Sequence, residues 1–262
     1  DLSNNEFVCF EDGTNRVLTK SITKDQLAII NDGFAQLPNT QWKGTGVAIP
    51  VFSLRSNQSA GIGEFFDLKY LVDWSKKIGL KLIQLLPLND TTATHSWLDS
   101  YPYAAISAFA LHPMYLRLQE VIKKDQTNLI APFQKQMNEL NAMPEIDYDG
   151  VMQLKWQLLK LIYEENGKKE LATAGFKKFF KQNEHWLVSY SAFSYLRDLH
   201  GTVDFNSWPT YSKFDQKEVD QLTGAKSKTY HEIAFYYFVQ YHLHLQLSDS
   251  AKYAHENGVV LK

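Results

Sequence analysis

From Gly44 onward the apolar residues follow two rhythms. Val47-Ala48-Ile49-Pro50-Val51-Phe52-Ser53-Leu54 is an apolar run of strand length. A polar loop, Arg55 to Gly63, separates it from Phe65, Leu68, Leu71, Val72, Ser75 and Ile78, which recur at helical spacing. Glu64 and Asp67 fall in the first turn of that helix, Lys76 and Lys77 in its last, and Gly79 just beyond. A helix dipole favours those charges, and a left-handed cap favours that glycine. Leu82-Ile83-Gln84-Leu85-Leu86-Pro87-Leu88 is a second buried-type strand. Strand, helix and strand at this spacing predict a βαβ unit with parallel strands and a right-handed crossover.

The rhythm then changes. Asn89 to Ser107 has no helical period and is rich in Thr, Asp, Trp and Tyr, so it reads as a long loop. Tyr115 to Leu199 reads mostly as helix, with a break at Asn141 to Gly150. Gly201 to Thr223 reads as loop, Tyr230 to Glu256 as one long helix, and Gly258 to Lys262 as the start of a third strand. Residues 1–30 carry turn signals and short apolar runs, without the basic start and apolar block of a signal peptide. The first residue is not Met, so a piece of a longer protein is expected. No internal repeat or low-complexity tract interrupts the pattern.

Composition narrows the class. The chain has 262 residues, 44% apolar and 21% charged, which excludes wholesale disorder. No apolar stretch reaches the roughly 18 residues of a spanning helix, so a membrane-embedded protein is not expected. A net charge of −2 without a basic stripe argues against nucleic acid as a partner. Cys9 is the single cysteine, so no internal disulfide can form. That fits a reducing, cytoplasmic setting, and Cys9 itself reads as buried and inert. Aromatic content is high, with 16 Phe, 14 Tyr and 6 Trp.

Most candidate chemistry fails its own tests. Gly61-Ile62-Gly63 lacks the third glycine of a dinucleotide fingerprint, because Phe66 stands there, and it lies too far past the strand. A nucleotide-binding enzyme is therefore a weak third reading. His242 and His244 are two apart on a helix and face different ways. His231-Glu232 lacks the second histidine of a zinc-protease helix, and no pair has metal spacing. There is no Gly-x-Ser-x-Gly elbow. What remains is the loop after the second strand, with Asn89, Asp90, Trp97, Asp99, Tyr101, Tyr103 and Ser107. Aromatic faces beside carboxylates and amides suit a sugar ring, whose apolar face stacks while its hydroxyl edge hydrogen-bonds. The plainer alternative makes Trp97 and Tyr101 core plugs beneath a long loop.

Five ordered segments carry a family resemblance: GVAIPVFSLRS (46–56), GIGEFFDLKYLVDW (61–74), IQLLPLNDT (83–91), DSYPYAAISAFALHP (99–113) and YHLHLQLSDSAKYAHENGVVLK (241–262). With them the chain resembles the 4-alpha-glucanotransferases (amylomaltases) of glycoside hydrolase family 77. It looks closest to the plant cytosolic disproportionating-enzyme branch, whose members carry starch-binding modules ahead of the barrel. The resemblance implies an α/β fold, the amino-terminal portion of a (β/α)8 TIM barrel with a large α-helical insertion after the second strand. Residues 1–40 would be the approach, 41–114 the first βαβ unit and substrate loop, 115–229 the helical insertion, and 230–262 the long helix and third strand. It further implies retaining transfer of glucosyl units between maltose, maltooligosaccharides and glycogen-like glucan, with no cofactor and no metal. The family's catalytic carboxylates lie past the third strand, so the 262 residues alone are expected to be inactive.

The resemblance also assigns residues. Tyr103, at family spacing before Ser107-Ala108-Phe109, matches a tyrosine that lines the sugar cleft. Tyr101 replaces the family's serine, and Leu111-His112-Pro113 replaces its usual Gly-Asn-Pro. Tyr101, Trp97 and Ser107 complete the candidate substrate surface, with Arg55 and Asp90 as site-floor residues or structural partners. The competing reading is a carbohydrate-binding or structural α/β module without activity. Three strands cannot close a barrel, so self-association through exposed strand edges is expected.

Overall fold

A computed structural model describes residues 23–25, 43–123 and 126–262. The expectations for Cys9 and for most of residues 1–40 lie outside them. The chain divides into two compact units, Asp1–Gly44 and Thr45–Lys262, and the second carries the fold described below.

That unit opens as the apolar rhythm predicts. Strand β1 is Gly46–Ile49, helix α1 is Asp67–Ile78 and strand β2 is Leu82–Leu85. Both strands stop short of their apolar runs, and proline is the reason. Pro50 and Pro87 have no N–H for the ladder, and after Pro50 the chain turns into one 3-10 turn, Val51–Ser53. Gly79 closes α1 in the left-handed region, at φ 85°. Its N–H reaches the Lys76 carbonyl at 3.3 Å, and that of Leu80 reaches Ser75 at 2.9 Å. Gly63 owes its identity to close approach: a Cβ there would lie 2.0 Å from the Val51 carbonyl oxygen. The Gly-Ile-Gly motif is thus a packing device at the entry to α1.

The third strand, β3, is Val260–Leu261, and the sheet is parallel in the order β1-β2-β3. Val47, Ile49, Ile83, Leu85 and Leu261 point to one face, where they pack with Val72 of α1 and with Ala254 and Val259. The opposite face holds Gly46, Ala48, Leu82, Gln84 and Val260. Of these, all but Leu82 are exposed.

Between β2 and β3 the chain is helical. The helices are α2 (Gln134–Ala142), α3 (Tyr148–Glu170), α4 (Ala174–His200), α5 (Gln216–Thr223) and α6 (Tyr230–Glu256). The break at Asn141 to Gly150 and the bounds of α6 agree with the sequence. Two details differ. Pro113–Tyr115, Leu118–Glu120, Thr127–Leu129 and Ala131–Phe133 form short 3-10 turns where regular helix is expected. The segment read as loop up to Thr223 ends in α5, capped by the Asp215 carboxylate, which accepts from the Lys217 N–H at 2.7 Å.

Helix α6 is the axis of this body. Every residue from Ile233 to Leu243 is buried, so it is covered on all sides, as a helix apolar all round must be. Two of its glutamines are matched by irregular backbone. The Gln240 amide pairs with both backbone groups of Leu111, at 2.9 and 2.8 Å. Gln246 does the same to Arg117, at 2.8 Å twice.

A buried charge cluster joins the sheet unit to the helices. Arg117 donates to Glu64 at 2.7 Å and to Asp67 at 2.5 Å. Lys155 of α3 donates to Glu64 at 2.7 Å and to the carbonyls of Met114 and Leu116 at 2.6 and 2.8 Å. Ser56 and Ser59 donate to the remaining lone pairs of Asp67, at 2.6 and 2.9 Å. Two acids face two bases, and all four side chains are at most 2% exposed. Burial lowers the Lys155 ammonium from its ordinary value, against the opposing pull of Glu64. The hydrogen bonds satisfy the desolvated charges, which is what makes such a cluster tolerable.

Candidate functional site: an aromatic loop beyond the second strand

The segment after β2 leaves the carboxyl end of the strand and returns to it. Asn89 and Leu111 form an antiparallel bridge. The Asp90 N–H donates to Ala110 O, the Ile106 N–H to Asp90 O, and the His112 N–H to Leu88 O, at 2.8 to 2.9 Å. The loop is therefore tied at its neck.

Two buried carboxylates organise its interior. Asp90 Oδ1 accepts from the Thr92 N–H at 3.0 Å and its hydroxyl at 2.6 Å, while Oδ2 accepts from the Tyr190 hydroxyl of α4 at 2.6 Å. Burial, then Asp90, pushes the Tyr190 phenol well up, so it remains a donor. Asp99 accepts from the N–H groups of Thr94 and His95, at 3.0 and 2.8 Å, and from the Thr94 hydroxyl at 3.0 Å. The Asp90 contact to Thr92 is an Asx turn, and Asp99 reaches back to backbone donors four and five residues before it.

The polar groups being turned inward, the aromatic ones face out. Trp97, Tyr101 and Tyr103 are 64%, 61% and 61% exposed. The rings of Tyr101 and Tyr103 lie 5.6 Å apart, tilted by 49°. Trp97 lines a cavity of about 380 Å³ with Phe52, Ser100, Tyr148 and Asp149. An adjoining cavity of about 330 Å³ shares Tyr148 and Asp149 and adds Thr92, His95, Gln153 and Trp156. Together they offer aromatic faces flanked by a carboxylate, an amide and hydroxyls.

The six residues expected at the site thus separate. Trp97, Tyr101 and Tyr103 are presented to solvent on one loop, and Trp97 is not a core plug. Asp90 lies beneath the loop at 1% exposure, engaged by Thr92 and Tyr190. Ser107 Oγ accepts from the N–H groups of Phe109 and Ala110, at 3.1 and 3.0 Å, and so shapes the loop's exit. It also borders a separate cavity of about 360 Å³ beside Tyr190, Phe193 and Trp208. Arg55 is half-buried, and its Nη1 has no hydrogen-bond partner among the described residues. Sequence reasoning did not single out Tyr148, His95 or Tyr190. Thr92, two residues after Asp90, is the one local signal that an Asx turn offers.

His112, next to the neck, is fully buried. Its Nδ1 accepts from the Met114 N–H, and its Nε2 faces the Tyr148 hydroxyl, both at 3.0 Å. Burial lowers it to about 4, with Asp90 and Asp99 opposing. Among the described residues no group of His, Cys, Asp and Glu is arranged to hold a metal ion. No helix among them is long and apolar enough to cross a membrane.

Comparison with known proteins gives one consistent result. The sequence pattern of glycoside hydrolase family 77, described as 4-alpha-glucanotransferase, matches residues 49–262. The chain is 40% identical over 258 residues to 4-alpha-glucanotransferase DPE2 of Oryza sativa subsp. japonica, covering 96% of this chain and 27% of that protein. It is 35% identical over 219 residues to the 4-alpha-glucanotransferase of Chlamydia pneumoniae, covering 83% of this chain and 40% of that one. The chain thus spans well under half the length of either relative. An amylomaltase from Streptococcus agalactiae, solved in complex with acarbose, superposes with a TM-score of 0.67 at 20% identity, over 84% of this chain and 42% of that one. Amylomaltase from Corynebacterium glutamicum gives 0.62 at 21%, over 83% and 29%. The chain shares the fold of the parts of these enzymes that it covers.

Proposed function

The chain belongs to the 4-alpha-glucanotransferase family, and on that premise we propose that the whole protein is an amylomaltase-type transferase. It moves glucosyl or glucan units between alpha-1,4-glucans, with maltose and maltooligosaccharides as donors and glycogen-like glucan as acceptor. The chemistry is a retaining double displacement in which a sugar hydroxyl, rather than water, resolves a covalent glucosyl-enzyme. Within it, β1, α1, β2 and β3 are the opening of a (β/α)8 barrel, and residues 115–229 are a helical insertion. The open face of the sheet supports this assignment, because small and mixed side chains there are what a barrel interior packs against. The whole protein acts in the cytoplasm.

The observation that carries the reading is the exposure of Trp97, Tyr101 and Tyr103 on one clamped loop at the carboxyl end of β2. Barrel enzymes bind substrate at that end, and large aromatics held in water are platforms for a sugar face. Tyr103 lines the sugar cleft, Tyr101 and Trp97 extend it, and Asp90, Ser107 and Arg55 support the floor. The neighbour solved in complex with acarbose supports this ligand class. In the whole protein, Tyr103→Ala raises KM for maltose or lowers turnover; unchanged kinetics would count against the assignment.

One observation favours a narrower role for the 262 residues by themselves. Asp90 and Asp99 accept hydrogen bonds from within the loop and from Tyr190, so neither is free to act as nucleophile or acid. Taken alone, the chain is a carbohydrate-binding surface without turnover. Glucose release from maltose by the purified chain, above a protein-free control, would refute that.

A further inference from the structure

The loop's interior is self-supporting, but its seat on the helical body depends on α4. Three polar contacts tie the loop to α4, while Trp97–Ser100 also rests on α3. Tyr190 reaches Asp90 at the neck, at 2.6 Å. Arg197 Nη1 donates to the Thr92 carbonyl at 2.8 Å. His95 Nε2 meets Asp198 Oδ1 at 2.7 Å, and this contact is at the crest, two residues before Trp97.

His95 is held in an unusual state. Its φ is 56°, the left-handed region that a non-glycine residue enters at a cost on the order of 1 kcal/mol. Its N–H is fixed by Asp99 at 2.8 Å and its ring by Asp198. Strain of this kind persists only where its surroundings over-determine it. Asp198 is preset by the helices. It accepts from Arg197 Nε at 2.7 Å and from the Tyr236 hydroxyl of α6 at 2.5 Å. Burial would raise its carboxyl, but His95, Arg197 and Tyr236 together hold it down at about 2. An ionised carboxylate only accepts, so the shared proton sits on His95 Nε2. His95 lines the cavity that adjoins the Trp97 groove through Tyr148 and Asp149.

We propose that Asp198 is a positioning residue for the aromatic platform: through His95 and Arg197 it sets the course of residues 92–97 and holds Trp97 against its groove. Its consequence for sugar binding rests on the carbohydrate reading above, whereas the positioning itself does not.

The test uses the 262-residue chain labelled with fluorotryptophan, with the Trp97 fluorine resonance assigned through Trp97→Phe. His95→Ala removes only the loop's own partner and leaves Asp198 with Arg197 and Tyr236. Asp198→Asn keeps the shape and removes the charge. Both are expected to move the Trp97 resonance toward that of free fluorotryptophan, while Trp186 and Trp208 stay in place. His95→Gln, which retains a donor, is expected to restore the wild-type position in part. Maltoheptaose is expected to bind His95→Ala about tenfold more weakly than wild type, a difference of about 1.4 kcal/mol. An unmoved Trp97 resonance in folded His95→Ala overturns the proposal, and if Asp198→Asn does not fold, His95→Ala decides alone. A wild-type chain whose Trp97 ignores maltoheptaose, beside a freed Trp97 in His95→Ala, overturns the sugar reading and upholds the positioning role.

Discussion

The three-stranded sheet and the helical body are built from similar residues but bury them differently. In the body, α6 is enclosed from Ile233 to Leu243, and the side-chain amide of Gln240 is matched atom for atom by the Leu111 backbone. In the sheet, Ile83, Val72, Ala254 and Val259 close one face, while Ala48, Gln84 and Val260 stand open on the other. Among the described residues the apolar strands are therefore only half covered, and β1 and β3 each leave an edge. A helix can satisfy its own backbone and needs cover for its side chains alone. A parallel strand needs neighbours on both edges and packing on both faces. The two regions should accordingly fail under different challenges.

The largest effect is expected where the two regions are fastened together. Lys155→Met removes one of two bases from the buried cluster. It leaves the Glu64 carboxylate short of a partner and the Met114 and Leu116 carbonyls without their donor. Breaking a buried pair in this way costs about 3–5 kcal/mol. Urea unfolding followed by circular dichroism should show that loss. A cost under about 1 kcal/mol, typical of an exposed pair, would mean that water reaches the cluster.

Acid should press on the body before the sheet. Burial lowers both His112 and His242 from 6.5 to about 4. Each therefore binds fewer protons folded than unfolded between those values, so stability falls as pH drops through 6.5 and levels off below about 4. Full loss amounts to roughly 3 kcal/mol per histidine. His242 rests its ring 4.4 Å from that of Phe238, and its Nε2 has no partner among the described residues. His242→Leu should therefore remove the part of the pH dependence that His242 contributes, without a hydrogen bond to lose. An unchanged slope in that variant would show that His242 titrates normally.

The sheet should fail by association. Its open face and edges are expected to make the chain's mass rise with concentration in light scattering. Val260→Lys, on the open face, should suppress the rise while leaving the unfolding midpoint of the helices in place. A monodisperse monomer at every concentration would mean that the exposed face is polar enough to stand alone.

Legibility in the sequence follows the same division. Local signals served well wherever an element's ends are set by its own residues. The Lys76-Lys77-Gly79 stop, the bounds of α6 and the loop after β2 all stand where the pattern placed them. Apolar run length overstated the strands, because Pro50 and Pro87 end the ladder before the run ends. Helix α5 carries the capping signature Asp215 with Glu218 three residues on, but it lies in a stretch whose Trp208-Pro209 signals loop. At the site, the loop that carries Trp97, Tyr101 and Tyr103 was legible, but the pattern left a core role for Trp97 and Tyr101 open, which their exposure closes. The supports were not, because Tyr190, Arg197 and Asp198 lie about a hundred residues from the loop they hold. No local spacing encodes such contacts.

The smallest stability effect belongs to the residues expected to matter most for ligand, and this gives the sharpest test of the loop. Tyr103 is exposed, and its ring neighbour is Tyr101, itself exposed. Tyr103→Ala should change unfolding free energy by no more than about 0.5 kcal/mol, as for surface substitutions generally. Tyr190 is the counterpart: a buried tyrosine whose hydroxyl serves the Asp90 carboxylate. Tyr190→Phe removes a hydrogen bond to a buried charge and should cost about 1.5–3 kcal/mol. Binding should separate the two mechanisms further. Tyr103→Ala should weaken maltoheptaose in proportion to the lost ring while the loop keeps its shape, so the Trp97 resonance should not move. Tyr190→Phe should loosen the neck and shift that resonance before any sugar is added. If Tyr103→Ala instead destabilised the chain as much as Tyr190→Phe, the ring would be a structural prop, and the outward aromatic face would not be a binding platform.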